Sequence, residues 1–146
     1  LNTPKMKLIQ GQGENMKKHV LLHLLLFLIG FFGYGLLEVV WRGYTHPTMG
    51  FAGGLSLCFL SVTEHGLKEL KTVYKALLCG LFITAIELII GIIMNIRLKA
   101  GVWDYSLMPM NFLGQISFTF SVMWCILSIP MMKITAMIRN VIFEKV

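Results

Sequence analysis

Between residues 19 and 41 the chain runs for twenty-three residues with one formal charge, Glu38. A helix of about 20 mostly apolar residues crosses the ~30 Å hydrocarbon core of a bilayer, so this segment alone points to a membrane. Three more apolar runs follow, at 47–62, 73–96 and 109–132, the first of them short and rich in glycine. In lipid every backbone N–H and C=O must be satisfied within the chain, which leaves helices for runs of this length. The expectation is an all-α fold. It is a polytopic membrane protein whose four transmembrane helices form a compact bundle over residues 19–146. Hydrophobic residues make up 56% of the 146 and charged ones 14%, against about 25% charged in soluble domains. No stretch is long and polar enough for a nucleotide-binding domain, so any ATP hydrolysis belongs to a separate subunit.

Residues 1–18 are polar and without periodicity. Gly13-Glu14-Asn15 ahead of Met16 is encodable as GGA-GAA-AAT, which reads as a bacterial ribosome-binding site before a start codon. Residues 1–15 are therefore expected to be an over-extended gene start, the alternative being an ordinary disordered cytoplasmic tail. Lys17 and Lys18 resemble the start of a signal peptide. The apolar run behind them is too long for one and lacks a small-x-small cleavage site, so it reads as a retained span.

Basic residues decide the orientation. Lys5, Lys7, Lys17, Lys18, Lys68, Lys71, Lys75, Lys133, Arg139 and Lys145 flank one side, and Arg42, Arg97 and Lys99 the other. Ten against three puts both termini in the cytoplasm of a cell whose inner membrane the chain crosses. The net charge of +6 then reads as loops facing anionic lipid, with no nucleic acid as partner. Cys58, Cys79 and Cys125 lie in apolar runs without a CxxC pair and read as packing residues.

The informative side chains are the ones lipid disfavours. A carboxylate at mid-membrane costs at least ~2.5–3.5 kcal/mol on insertion scales and needs a partner, a proton or water. Glu38 lies near the outer end of the first span and Glu87 near the middle of the third. On the third span Gly80, Thr84, Glu87, Gly91 and Asn95 form one small-and-polar stripe at helical spacing. Glu87 is thus expected to face the bundle rather than lipid. On the first, Gly30, Tyr34, Glu38 and Arg42 recur every four residues, and Asn111 and Gln115 are expected one turn apart on the fourth. With the N-terminus inside, these groups converge toward the outer half of the bundle.

Plainer readings stand beside these. Glu38 and Arg42 at i, i+4 form an interfacial ion pair, or bind a ligand. His46 before Pro47 caps the second helix, or gates a pocket. Gly50 and Gly54 form a GxxxG suited to close packing. Trp41 and Trp103 suit the membrane interface. Asp104 is expected to pair with Arg42 or Arg97, or to accept backbone hydrogen bonds at the start of the fourth helix. No HExxH, GxSxG or P-loop occurs, so no catalytic residue is assigned. Glu38, Glu87, Asp104 and His46 could ligate a hard cation chemically, but their spacing does not require it, and no metal or cofactor is assigned.

The segments GLLEVVWRG (35–43), HPTMGFAGGLSL (46–57), AIELIIGIIMNIRLKAGVWDYS (85–106) and PMNFLGQISFTFSVMW (109–124) resemble the bacterial membrane family catalogued as ABC-transporter type IV, the CmpB-type permeases. The resemblance extends over essentially everything from the first span onward. It implies transport, with Glu38, Trp41, Glu87, Trp103, Asp104, Tyr105, Ser106, Asn111, Gly114 and Gln115 matching the family's signature. It also implies oligomerisation or joining other membrane subunits, with a possible separate ATPase subunit.

The reading is a transporter or permease-like subunit with a polar pocket open to the outside. Glu38, Glu87, Asn95, Asn111 and Gln115 would bind substrate or ion, and Arg42, His46, Trp103, Asp104 and Tyr105 would form the outer loop that gates it. The rivals are a structural or regulatory membrane subunit held together by its buried polar residues, and an intramembrane enzyme.

Overall fold

A computed structural model describes residues 4–144, so residues 1–3 of the polar tail and Lys145 of the charge count lie outside the described residues. Helix α1 runs Pro4–Arg42, α2 Pro47–Gly66, α3 Thr72–Gly91 and α4 Phe118–Glu144. Three stretches are long and apolar enough to cross a membrane: Ile9–Arg42, Thr72–Arg97 and Phe118–Phe143. Their outward faces are apolar and exposed, as at Phe32, Leu81 and Ile126. This is the pattern of helices solvated by lipid. Residues 4–18 of the polar stretch continue the helix of the first span.

Helix α2 is the shortest apolar run and is not among those three. It lies against α1, α3 and α4, and ten of its twenty residues are buried. A helix clothed by protein need not be apolar all round, which is why Ser56, Ser61 and Thr63 are tolerated on it. Its contact with α1 is backbone on backbone. A Cβ on Gly30 would enter the carbonyl of Gly53, one on Gly53 would enter that of Gly30, and one on Gly54 would lie 2.7 Å from the Phe27 ring. The GxxxG expectation is met: these glycines let two helices touch.

Helix α3 meets α4 along the stripe read from the sequence. A Cβ on Gly80 would strike Cys125, Thr84 Oγ1 donates to Ser121 Oγ at 3.1 Å, and Gly91 lies flush against Gln115. Beyond Gly91 the helix widens into a π-helical stretch, Ile92–Arg97. Helix α4 begins nine residues later than the fourth apolar run suggested. Residues 109–117 form a β-hairpin, strand β1 (Asn111–Phe112) antiparallel to β2 (Ile116–Ser117). Leu113 (φ 54°) and Gly114 (φ 68°) both take the left-handed conformation at its turn, the geometry of a tight hairpin. Hairpin, residues 98–110 and the α1–α2 turn close one end of the bundle, the cap end. The other carries the α2–α3 turn, where buried Lys75 bonds Glu64 at 3.0 Å.

Candidate functional site

The cap is tied to the helices by side chains that bond backbone. Asn95, on the π-helical stretch, donates to Gln115 Oε1 at 2.7 Å and Trp103 O at 2.9 Å, and its Oδ1 accepts Val102 N–H at 2.7 Å. Trp103 is buried, and its indole N–H donates to Gln115 O at 2.9 Å. Gln115 donates in turn to Leu113 O at 3.0 Å. Asn111 closes the hairpin by donating to Ser106 O and Met108 O and accepting Gly114 N–H. Asn95, Asn111 and Gln115, read as ligand-binding, are thus committed to the chain itself. Asn111 and Gln115 do not share a helix turn: they occupy opposite sides of a hairpin.

Arg42 latches α1 to this cap. Its guanidinium donates to Val102 O at 2.7 Å and Glu38 Oε1 at 2.7 Å, and it lies over the Tyr44 ring. Thr45 donates to the other oxygen of Glu38 at 2.6 Å. Glu38 is therefore a paired, hydrogen-bonded carboxylate. His46 caps α2, its Nδ1 accepting Thr48 N–H at 3.3 Å. Trp41 is exposed as a lipid-facing ring would be, whereas Trp103 is core and not an interfacial anchor.

Asp104 does not pair with an arginine and does not start the fourth helix. Its carboxylate accepts Ser106 N–H at 2.8 Å, and that amide, with the Ser106 hydroxyl, holds it below the usual carboxylate range. Tyr105 stacks on Phe120 at 4.6 Å. Burial, and secondarily the Glu87 carboxyl, push its hydroxyl well above the ordinary phenol range. The loop is held by its own turns and rings.

Glu87 lies below this cap on the α3–α4 seam, 2% exposed. Its Oε2 accepts the indole N–H of Trp124 at 2.8 Å, and its Oε1 is buried with no hydrogen-bond partner. Tyr34 packs its ring 5.7 Å from that of Trp124, so α1, α3 and α4 converge here. The expectation that Glu87 faces the bundle is met. Trp124 was not among the predicted site residues. Its signal was available: a tryptophan amid apolar residues in a span must find an acceptor for its N–H.

The possible cation set is not assembled. Glu38, His46 and Asp104 each have the partners given above, and among the described residues no three His, Cys, Asp or Glu side chains group closely enough to hold a metal. Beside the α1–α2 turn lies an open groove of about 650 Å³ lined by Phe31, Phe32, Leu36, Val39 and Pro47 with Thr45 and His46. It is apolar and does not contain the five residues read as binding.

A family profile described as "Putative ABC-transporter type IV" matches residues 24–146. No curated protein and no solved structure matches the chain.

Proposed function

Because the chain belongs to the ABC-transporter type IV family, a multi-pass membrane family tied to transport, we propose that it is a permease-like subunit of the inner membrane whose working group is Glu87. All four helices cross the bilayer in this reading, α2 among them, sheltered from lipid by its neighbours. Both ends face the cytoplasm, as the ten-to-three distribution of basic residues favours. The cap end then faces outward, and the protein is a conduit without its own catalysis. A separate ATPase subunit or further copies of the chain complete the system.

One observation carries the reading: a buried carboxyl with an unpartnered oxygen and, among the described residues, no basic side chain in an ion pair with it. A seam needs hydrogen bonds, but it does not need an acid that lipid disfavours. A lone carboxyl there can give up its proton to an arriving cation or lend an O–H to a polar substrate. Glu38, Asn95, Asn111 and Gln115 join the pathway only when the cap lifts, because in the closed arrangement their groups are mutually engaged. Arg42, His46, Trp103, Asp104 and Tyr105 are then the hinge and latch of that movement, and the outward-facing polar pocket is its open state.

Liposomes enclosing a pH-sensitive dye provide the test. The reconstituted protein should pass protons or a cation at a rate that Glu87→Gln abolishes. A rate unchanged by Glu87→Gln would overturn the proposal. A second reading, a structural or regulatory subunit, draws on the commitment of Asn95, Asn111 and Gln115 to backbone. It is favoured if wild-type liposomes show no flux and Gln115→Ala merely unfolds the protein.

A further inference from the structure

At the end opposite the cap, the last turns of α2 and the C-terminal part of α4 enclose a polar groove of about 230 Å³. Ser61, His65 and Lys68 line it from one side, and Thr135, Arg139 and Asn140 from the other. Its one acid, Glu64, is taken by Lys75 at 3.0 Å. Among the described residues the ion pairs are Glu38–Arg42 and Glu64–Lys75, so Arg139 and Lys68 line the groove without a carboxylate in an ion pair with either. Arg139 is half-buried and held: one nitrogen donates to Ser61 Oγ at 3.3 Å, and the guanidinium lies 5.8 Å from the Phe143 ring centre. A guanidinium has five N–H donors, and this contact uses one. The result is an oriented fork beside a mobile-stemmed ammonium, an imidazole and neutral donors, the set that recognises a tetrahedral anion.

We propose that this groove binds a phosphate group. Two sources share that chemistry: the headgroup of an anionic phospholipid, whose leaflet the same end of the bundle adjoins, and free phosphate. The proposal does not depend on Glu87 or on transport.

The full chain in nanodiscs of phosphatidylcholine with a minor fraction of phosphatidylglycerol tests the first source, with native mass spectrometry counting retained phosphatidylglycerol. Inorganic phosphate, titrated at constant ionic strength into nanodiscs of phosphatidylcholine alone, tests the second through the unfolding temperature. Arg139→Gln and Lys68→Gln should each weaken binding about tenfold, whereas Lys133→Gln, a lysine on α4 outside the groove, should leave it unchanged. Lys68 is exposed, so its variant reads binding even if Arg139→Gln folds poorly. Selective loss of phosphatidylglycerol identifies a headgroup site, and selective loss of the phosphate response identifies a soluble ligand. No binding of either probe, undiminished binding in both groove variants, or equal loss in Lys133→Gln would overturn the proposal.

Discussion

The two main helix seams are built on different principles. Between α1 and α2, Gly30, Gly50, Gly53 and Gly54 bring backbone and aromatic rings into contact, and shape dominates, with the weak bond from Cys58 Sγ to His23 O at 3.3 Å beside it. Between α3 and α4, glycine at both ends of a stripe brackets Thr84 and Glu87, and hydrogen bonds to Ser121 and Trp124 join the shape. Among the described residues, the first seam holds no buried side-chain oxygen without a partner. The second has one, the free oxygen of Glu87. Side by side, they separate what a membrane bundle needs to assemble from what it carries at a cost.

The sharpest way to break this comparison is at the glycine seam. Gly53→Leu should prevent the α1–α2 contact altogether, because backbone cannot yield as a side chain does. The expected loss exceeds ~3 kcal/mol, seen as failure to accumulate folded protein in the membrane. A well-folded Gly53→Leu protein would mean that the seam is not backbone on backbone. On the other seam, Gln115→Ala should cost about 2–3 kcal/mol, since it removes the acceptor of Asn95 and leaves Leu113 O without its donor. Chemical unfolding in detergent would measure it. Arg42→Lys should cost about 1 kcal/mol, because a lysine cannot reach Glu38 and Val102 together as the fork does. Protease cleavage of residues 98–110 should become faster in that variant.

The smallest effect is a pH dependence of the cap. Asp104 has a lowered folded pKa, so its contribution is present above the unfolded value, about 3.9. It is lost as pH falls through the folded value. Cap protection from proteolysis should therefore be flat from neutral pH down to about 4 and decline only below that. A decline beginning near pH 6 would point to another group.

Much of the architecture was legible in the residues. The spacing of Gly80, Thr84, Glu87, Gly91 and Asn95 located the α3–α4 seam because a helix repeats its face on that spacing. The GxxxG located the α1–α2 seam for the same reason. The hairpin was not legible, since its turn puts Leu113, a residue that pays sterically for positive φ, where asparagine or glycine is usual. An apolar run containing leucine at that position reads as helix. Nor could spacing reveal that Asn95, Asn111 and Gln115 would bond backbone, because that depends on a loop whose path composition does not encode. Asn95, Asn111 and Gln115 satisfy the carbonyls of Trp103, Ser106, Met108 and Leu113, which a continuous helix would have satisfied within itself.

What remains central is whether Glu87 serves the seam or the function. The direct measurement is the unfolding free energy of Glu87→Gln and Glu87→Leu beside wild type, taken with the flux of each in liposomes. Glutamine still accepts the Trp124 N–H, so Glu87→Gln should unfold within about 1 kcal/mol of wild type and yet pass no protons or cation. Leucine strands that buried N–H and should lose about 1–3 kcal/mol together with the flux. A Glu87→Gln protein as unstable as Glu87→Leu, or one with full flux, would contradict the account.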